Sequence, residues 1–269
     1  FALSPVSTNG ALNNLKTEVP HWDFDATKEE TQKKWNKELN KIQVETISED
    51  DKTTFYTALY HTSLSPILYE DVDGKYRGLD QNIYTSEDFT NYTIFSLWDT
   101  YRALHPLYNI IQPSRNNDMI KSMLAHHDES VHHMLPIWSH YANENWCMIG
   151  YHATSVIADA MAKNVGDFDI NHALKASRNT ATVRYFDGVG DYIDYKYVPD
   201  DKSHSSVSKT LEYAYNDWCI AQIAKKAGNK EAENEYLERS EYYNNVYDPS
   251  IGFMRPKLSD GKFRENFDP

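Results

Sequence analysis

The sequence has few cysteines, no long apolar run and a shortage of basic residues. Two cysteines among 269 residues are too few for the disulfide framework of a small secreted domain. No segment approaches the run of about 18 apolar residues that a membrane-spanning helix needs, and the mean hydropathy is −0.71. We therefore expect a soluble protein that does not insert into a membrane.

The charge balance is acidic. Lysine and arginine number 27 against 40 aspartates and glutamates, which gives a formal net charge of −13. This excess repels phosphate backbones and anionic lipids at long range, so nucleic-acid and membrane-surface partners are not expected. A hydrophobic content of 40% in a chain of this length predicts one large domain or two modest ones with a real core.

The start of the chain and its cysteines leave alternatives open. The first residue is Phe1 and no charged-then-apolar leader follows, so either a signal peptide has been removed or the chain is a piece of something longer. Cys147 and Cys219 both lie in segments that have the pattern of buried helices. Free buried thiols are the favoured interpretation, and a single disulfide is the alternative.

Helices are predicted for most of the chain. Residues 1–26, which include Gly10 and a dense run of turn signals, are predicted to be irregular or an edge strand. A helix is expected to begin at Thr27, because Thr27 and Glu30 fit a capping box. The other predicted helices are 50–69, 95–111, 114–128, 146–164, 168–184, 206–227 and 229–246.

Two stretches are predicted to form hairpins. The region 70–93 has Asp73 and Gly74 between polar and β-branched residues, which favours a hairpin or a long loop that extends from the helices. The last 22 residues contain the turn signals "DPSIGF" and "LSDGKF", which indicate a short hairpin.

The predicted helices alternate between two distributions of apolar and charged residues. The segment "TLEYAYNDWCIAQIA" has only Glu212 and Asp217 as charges and should be buried on most sides, whereas 229–246 is charged along one side. Repeated inner and outer helices indicate an all-α fold of the (α/α)6-toroid type. A closed ring of six helical hairpins needs twelve helices, but the sequence predicts about eight, so we expect only part of the ring.

The segment "FSLWDTYRALHPL" has two interpretations. Asp99 and Arg102 are spaced i and i+3 on a helix, which favours a local ion pair. The alternative is a sugar site, because Trp98 offers a flat apolar ring and Asp99 a carboxylate beside it.

The segment "LPIWSHYANENWCMIGYHA" places Glu144 among aromatic residues, just before a predicted helix. Burial against such rings disfavours the charged form and raises the pKa of a carboxyl group, as a general acid requires. The alternative is an exposed loop glutamate that the helix dipole stabilises.

Glu212 needs compensation, because its helix is too apolar for an unpaired carboxylate. An arginine, a hydrogen-bond network or a hard cation such as calcium would supply it. Asp217 is expected to cap the helix or to form an ion pair on its surface.

The histidine-rich run "HHDESVHH" lacks the HExxH spacing of a zinc site. It is expected to be a solvated helix end rather than a metal-binding segment.

Several long motifs carry a family resemblance. They include "NYTIFSLWDTYRALHPL", "SVSKTLEYAYNDWCIAQIA", "NVYDPSIGFMRP" and "FRENFDP". In order along the chain they closely resemble the catalytic domain of family 92 glycoside hydrolases, calcium-dependent exo-acting α-mannosidases that invert the anomeric carbon. The resemblance implies a β-sandwich domain followed by a toroid. Residues 1–26 would be the end of that sandwich domain or a linker, and 27–269 a partial toroid.

The resemblance also assigns roles to individual residues. Glu144 matches the acid that protonates the leaving oxygen, and Asp268 matches the base that activates water. Glu212 matches a calcium ligand. The expected mannose-binding residues are Trp98, Asp99, Asn143 and Trp146.

Two positions depart from the family pattern. Asn145 stands where the family has threonine, and Asn266 stands where it has the first aspartate of the "DFD" element. A local hydrogen bond beside Glu144 should therefore differ from that of the family, and Asp268 alone matches a carboxylate of the "DFD" element.

Partners and location follow from the same resemblance. It implies a mannose-containing glycan as substrate, the remaining parts of the same enzyme as partners, and export from the cell. One alternative is another toroid glycosidase, related to α-glucosidases or trehalases, that would need no calcium. A second is a piece that binds glycans without catalysis, because its ring is open.

Overall fold

Helices form most of the regular structure in the computed structural model, which describes residues 1–268. The predicted all-α class is confirmed within these residues. The α-helices are α1 (Thr8–Glu18), α2 (Phe24–Leu39), α3 (Glu49–Thr62), α4 (Leu97–Thr100), α5 (Leu104–Ile111), α6 (Pro113–Glu129), α7 (Ala153–Ala162), α8 (Ile170–Thr180), α9 (Val189–Tyr195), α10 (Ser206–Lys226) and α11 (Lys230–Ser240), and a 3-10 helix spans Tyr242–Val246.

Short antiparallel strands connect the helices. Their pairs are β1 (Ile67–Leu68) with β4 (Tyr92–Thr93), β2 (Lys75–Arg77) with β3 (Ile83–Thr85), and β8 (Tyr247–Asp248) with β9 (Phe253–Met254), while β5 (Phe95–Ser96), β6 (Trp138–His140) and β7 (Asn143–Glu144) form one three-stranded sheet. Both predicted hairpins are therefore present. In the first, the turn lies at 78–82 rather than at Asp73 and Gly74.

The core lies between α6, α7, α8 and α10. Twelve of the 21 residues of α10 are buried, against four of eleven in α11, which confirms the predicted inner and outer roles of these two helices. Side chains of all four core helices meet in one hydrophobic cluster that also includes Phe95 and Leu97. Because Leu97 precedes Trp98 directly, this core holds in place the start of the segment "FSLWDTYRALHPL".

The prediction for residues 1–26 is wrong, because they contain the helix α1. Ser7 caps it by accepting a 3.0 Å hydrogen bond from the Gly10 N–H. A side chain at Gly10 would collide with the carboxylate of Asp71, so the glycine permits close packing here and does not break the helix. Asn14 completes the contact by donating to Asp71 Oδ1 at 2.7 Å.

Several predicted helix boundaries also shift. The second helix begins at Phe24, since Asp23 rather than Thr27 caps it through the Ala26 N–H. The predicted helix 95–111 divides into α4 and α5, and Arg102 Nε donates to the Trp98 carbonyl at 3.0 Å where the helix is interrupted. The helix predicted at 146–164 begins only at Ala153, because residues before it have left-handed backbone angles.

Cysteine placement agrees with the prediction at one position. Cys219 is buried in α10, as expected, but Cys147 is exposed in a loop. Neither cysteine forms a disulfide within residues 1–268. In the same range of residues, each helix is too short or too polar to span a bilayer.

Asp217 does not lie on the surface as predicted. It is fully buried, and its carboxylate is 2.9 Å from Arg239 Nε. The hydroxyl groups of Tyr151 and Tyr192 donate to it at 2.7 and 3.0 Å. Asp217 therefore joins α10 to α9, α11 and the segment that precedes α7.

Glu129 at the end of α6 is a second buried acid. It accepts a 2.5 Å hydrogen bond from the Tyr76 hydroxyl of the β2–β3 hairpin. Burial, with smaller contributions from the nearby carboxylates of Asp80 and Asp128, raises its pKa to about 7, although the Tyr76 bond opposes the shift.

We expect stability to depend on pH through Glu129. Its pKa is higher in the folded than in the unfolded state, so the protonated form stabilises the fold below the unfolded value of about 4.5, and this stabilisation is lost as pH rises through 7. Between pH 5 and pH 8, the free energy of unfolding of the wild type should therefore fall by about 2 kcal/mol more than that of Glu129→Gln, which has no titrating group at this position. Urea titrations of both proteins at the two pH values measure it, and parallel pH profiles would contradict the assignment.

Candidate active site

The three-stranded sheet joins two of the candidate segments. Ser96 of β5, two residues before Trp98, pairs with Trp138 of β6. On the other side of β6, Ser139 pairs with Glu144 of β7. The tryptophan segment and the glutamate segment, about 40 residues apart in sequence, are therefore neighbours.

Glu144 is fixed by the backbone that surrounds it. Its Oε1 accepts hydrogen bonds from the Trp138 and Trp146 N–H groups, both at 2.9 Å, and its Oε2 accepts one from Ile137 at 3.0 Å. The side chain is only 8% exposed. The predicted burial of this carboxyl group is confirmed, but Glu144 lies on a strand rather than just before a helix.

Burial raises the pKa of Glu144 above its usual range, although the backbone N–H groups oppose the shift. The imidazole nearest to it does not reverse this effect. His126 Nε2 lies 3.6 Å from Glu144 Oε2, but burial lowers the pKa of His126 to about 3, so the ring is neutral near pH 7. Glu144 therefore has the raised pKa that a general acid needs.

A cleft of about 280 Å³ opens beside Glu144. Its lining includes Gln81, His132, Asn143 and Trp146. Tyr141 and Trp146, on either side of the glutamate in sequence, have φ angles of 53°, in the left-handed region that non-glycine residues seldom adopt. Such strain is commonly found where a structure holds a functional group in place.

The third candidate, Glu212 on α10, is compensated by side chains from the other two segments. Arg102 Nη2 lies 3.4 Å from its Oε1, and His152 Nε2 lies 3.1 Å from its Oε2. Burial opposes ionisation, but these neighbours more than offset it, so the pKa of Glu212 lies below its usual value. Of the predicted forms of compensation, the structure shows an arginine and a histidine.

The local ion pair predicted between Asp99 and Arg102 is wrong. Arg102 faces Glu212 instead, and its guanidinium lies 4.8 Å from the ring centres of both Trp98 and Tyr101. Asp99 is exposed and accepts a 2.8 Å hydrogen bond from Ser96. Asp99 therefore forms no ion pair with a side chain of α4.

Two indole N–H groups lack partners. Nε1 of Trp98 and Nε1 of Trp146 are buried without a hydrogen bond within residues 1–268. The Trp98 N–H helps to lower the pKa of Glu212, but its geometry does not reach that of a hydrogen bond. Unsatisfied donors of this kind commonly mark a place where a ligand or ordered water supplies the acceptor.

Asn143 and Asp268 are both exposed. Asn143 lines the Glu144 cleft. Asp268 is not among the described residues that line this cleft. The structure therefore brings together the segments of Trp98, Glu144 and Glu212, but leaves Asp268 outside this group.

His126 and His152 are site residues that the sequence did not reveal. His152 stacks on Tyr101, with ring centres 4.0 Å apart, and its Nδ1 lies 3.0 Å from the Asn216 amide. The available signal was its position in "GYHATS", directly before the apolar helix α7. His126 belongs to the run that was predicted to be a solvated helix end, but only 6% of it is exposed.

Potential metal ligands occur at two places. His127, Asp128 and His172 have ligand atoms within 4.8 Å of one another. Glu212 supplies one carboxylate, but its side-chain neighbours are the nitrogen groups of Arg102 and His152. Calcium takes six to eight oxygen ligands, so the described surroundings of Glu212 do not by themselves fit this ion.

Residues 10–269 match the model of the glycosyl hydrolase family 92 catalytic domain. An uncharacterised secreted glycosidase of Arthroderma benhamiae is 25% identical over 292 residues, which cover 96% of this chain and 33% of the relative. The match extends over nearly the whole chain, so the motifs in the sequence belong to one continuous similarity.

Two solved structures from Bacteroides thetaiotaomicron are similar over almost the full chain. The family GH92 α-mannosidase BT3965, in complex with mannoimidazole, is 50% identical with a TM-score of 0.95, and the match covers 99% of this chain and 35% of that one. The inverting mannosidase BT2199 is 31% identical with a TM-score of 0.92, covering 98% and 37%. The predicted toroid-type fold is confirmed, and this chain spans about a third of the length of these relatives.

Proposed function

The chain belongs to glycosyl hydrolase family 92, and from that membership we propose that it carries part of the active site of an inverting enzyme that removes terminal α-linked mannose from glycans. One observation carries the proposal, namely a buried glutamate that three backbone N–H groups hold at the edge of a cleft, where burial raises its pKa. A raised pKa favours the protonated form of the carboxyl group, and that form is the one a general acid needs to cleave a glycosidic bond.

Glu144 is the proposed general acid, and its hydrogen bonds indicate which oxygen carries the proton. Oε1 accepts two backbone N–H bonds, whereas Oε2 accepts one. Oε2 therefore keeps a lone pair for the proton, beside the neutral ring of His126. The proton passes from Oε2 to the oxygen of the leaving group as the bond to the anomeric carbon breaks.

Asp268 is the proposed base. In an inverting mechanism it removes a proton from a water molecule that attacks the anomeric carbon from the opposite face of the sugar, with the two carboxyl groups about 6.5 to 9.5 Å apart. Support comes from the sequence match of "NFDP" and from the exposure of the side chain, which leaves the carboxylate accessible.

Trp98, Asp99, Asn143 and Trp146 are the proposed sugar contacts. Trp98 and Trp146 offer apolar ring faces to the CH groups of mannose, and each has a buried N–H without a partner. Asp99 and Asn143 are exposed and offer oxygen and nitrogen atoms for sugar hydroxyls. The pairing of β5 with β6, and of β6 with β7, places all four on one small sheet or directly beside it.

Calcium is the proposed metal of the complete enzyme, with Glu212 as one ligand. Bound calcium would supply positive charge for coordinating sugar hydroxyls. Because Glu212 offers the only carboxylate described at this position, five or more further oxygens would have to come from substrate, water or residues outside this chain. Arg102 and His152 keep Glu212 ionised, which is the form that binds a cation.

The remaining parts of the proposal concern the whole protein. Residues 1–26 remain assigned to the end of a β-sandwich domain or a linker, and 27–269 to a partial toroid, whose partners are the other parts of the same enzyme. The relative from Arthroderma benhamiae is named as secreted, which supports export of this protein too.

Chelation and sugar choice test the proposed function. The complete enzyme should release mannose from aryl α-mannosides and no glucose from the matching α-glucosides. Excess chelator should abolish turnover, and Glu212→Ala should do the same while circular dichroism shows the fold retained. The matched control is Glu238→Ala, which removes a glutamate with a 68% exposed side chain and should leave the rate unchanged. Full activity in chelator would favour the calcium-independent α-glucosidase or trehalase class.

A further inference from the structure

Two helices bring three metal-ligating side chains to one point. His127 and Asp128 lie at the end of α6, and His172 lies in the first turn of α8. Asp128 Oδ1 is 2.8 Å from His127 Nδ1 and 3.1 Å from His172 Nε2. The ligand atoms of all three lie within 4.8 Å of one another.

These distances fit the edges of a metal coordination sphere. A tetrahedral ion with bonds of about 2.0 to 2.1 Å to imidazole nitrogen and carboxylate oxygen separates its ligand atoms by about 3.3 Å. The distances from Asp128 Oδ1 to His127 Nδ1 and to His172 Nε2 are shorter than this by a few tenths of an ångström, and the three ligand atoms all lie within 4.8 Å of one another, so side-chain rotations would admit an ion. Asp128 is exposed and His172 half-buried, which leaves a fourth position open to water.

A further contact of His127 involves Asn179 of α8. The side-chain amide of Asn179 lies 3.0 Å from His127 Nε2. The amide nitrogen Nδ2 of Asn179 is the atom that faces the ring, so binding of an ion through Nδ1 requires this amide to flip. Its carbonyl oxygen then accepts the Nε2 proton, and Nδ1 keeps the lone pair that faces Asp128. Metal-binding histidines commonly hold their second ring nitrogen in this way.

We propose that His127, Asp128 and His172 bind a divalent transition-metal ion of the zinc, cobalt or nickel class, which joins the end of α6 to the start of α8. Two imidazoles and one carboxylate suit these ions and do not suit calcium, which prefers oxygen ligands throughout. The site uses none of the residues assigned to catalysis, and it does not depend on the calcium proposed at Glu212.

The position of the site gives the ion a structural effect. The chain leaves α6 at Glu129 and runs directly into Ser130, Val131 and His132, which line the Glu144 cleft. An ion held at the end of α6 would therefore restrain this wall of the cleft against α8. We expect the ion to raise stability rather than to take part in the reaction.

Titration of the untagged protein with Co²⁺ tests the site directly. The protein should bind about one Co²⁺ with visible absorption bands that indicate nitrogen and oxygen ligands, and Zn²⁺ should displace it whereas Ca²⁺ should not. Both His172→Ala and Asp128→Ala should lower the Co²⁺ affinity by at least tenfold. The matched control is His204→Ala, which removes an exposed histidine elsewhere and should leave the affinity unchanged.

A thermal measurement provides a second readout. Zn²⁺ at about one hundred times its dissociation constant should raise the melting temperature of the wild-type protein by roughly 5 °C or more. The rise should be absent in His172→Ala, whose partly exposed position lets the variant fold. No Co²⁺ binding by the wild-type protein, or equal binding by His172→Ala, would overturn the proposal. Neither result would affect the test of the proposed mannosidase activity.

Discussion

Glu144→Gln in the complete enzyme should slow hydrolysis of a mannose disaccharide by roughly 10²- to 10⁴-fold, the contribution typical of a positioned general acid. An aryl mannoside whose leaving group departs without protonation should be affected much less. The reason is that glutamine keeps the size of the side chain but has no proton to deliver. Rates on the two substrates, each relative to wild type, measure the effect.

The variant has a structural cost that a control must separate. Its amide oxygen can keep the bonds of Oε1 to Trp138 and Trp146, but its NH₂ group would face the Ile137 N–H, and an unsatisfied donor there costs about 1 to 3 kcal/mol. Glu129→Gln is the matched control, because it neutralises another buried glutamate of raised pKa. It should affect both substrates in the same proportion.

Asp268→Asn tests the other half of the mechanism. Every inverting turnover needs activated water whatever group leaves, so this variant should impair both substrates alike. If Glu144→Gln and Asp268→Asn reduce both rates in the same proportion, the division of roles between acid and base is wrong.

Asp217→Asn should lower the free energy of unfolding by about 3 to 5 kcal/mol, because it leaves the buried guanidinium of Arg239 without its counter-charge. Asp217 has no exposed surface and the Arg239 side chain only 8%, so water cannot replace the lost partner. Asparagine keeps the shape and one acceptor oxygen. Its NH₂ group replaces the other oxygen, so either Tyr151 or Tyr192 loses the acceptor of its hydroxyl proton.

An exposed ion pair provides the comparison for this variant. Arg178 and Glu235 are 3.2 Å apart with both side chains 41% exposed, and Glu235→Gln should cost no more than about 1 kcal/mol. Urea unfolding of the wild type and both variants gives the midpoints. A loss below about 1 kcal/mol in Asp217→Asn would show that the buried pair contributes little.

Helix positions followed from the sequence where a helix has one consistent face or cap. The apolar composition of residues 206–227 predicted the buried helix α10. The charged residues along one side of 229–246 predicted the outer position of α11. Such patterns depend on spacing within a single helix, which the sequence contains directly. Gly10 was interpreted as a turn signal, but the glycine is needed because the helix packs closely against Asp71. Asp71 is distant in sequence, so the sequence pattern does not show this contact.

Local composition also predicted that Glu144 is buried, because aromatic residues lie close to it in the chain. The three backbone N–H groups that hold it come from the pairing of β6 with β7 and the turn after it. Strands of two or three residues are too short to leave a periodic pattern. The rigidity of the site was therefore not visible in the sequence.

The sequence by itself determined the helical class, the family resemblance and the need of Glu212 for a compensating group. Only the tertiary structure decided what compensates Glu212, that Asp217 is buried, and that His127, Asp128 and His172 meet. Each of these depends on which polar side chains approach one another from segments that are distant in sequence. Charge and hydrogen-bond energies vary steeply with distance and burial, and neither quantity is set by residues near in sequence.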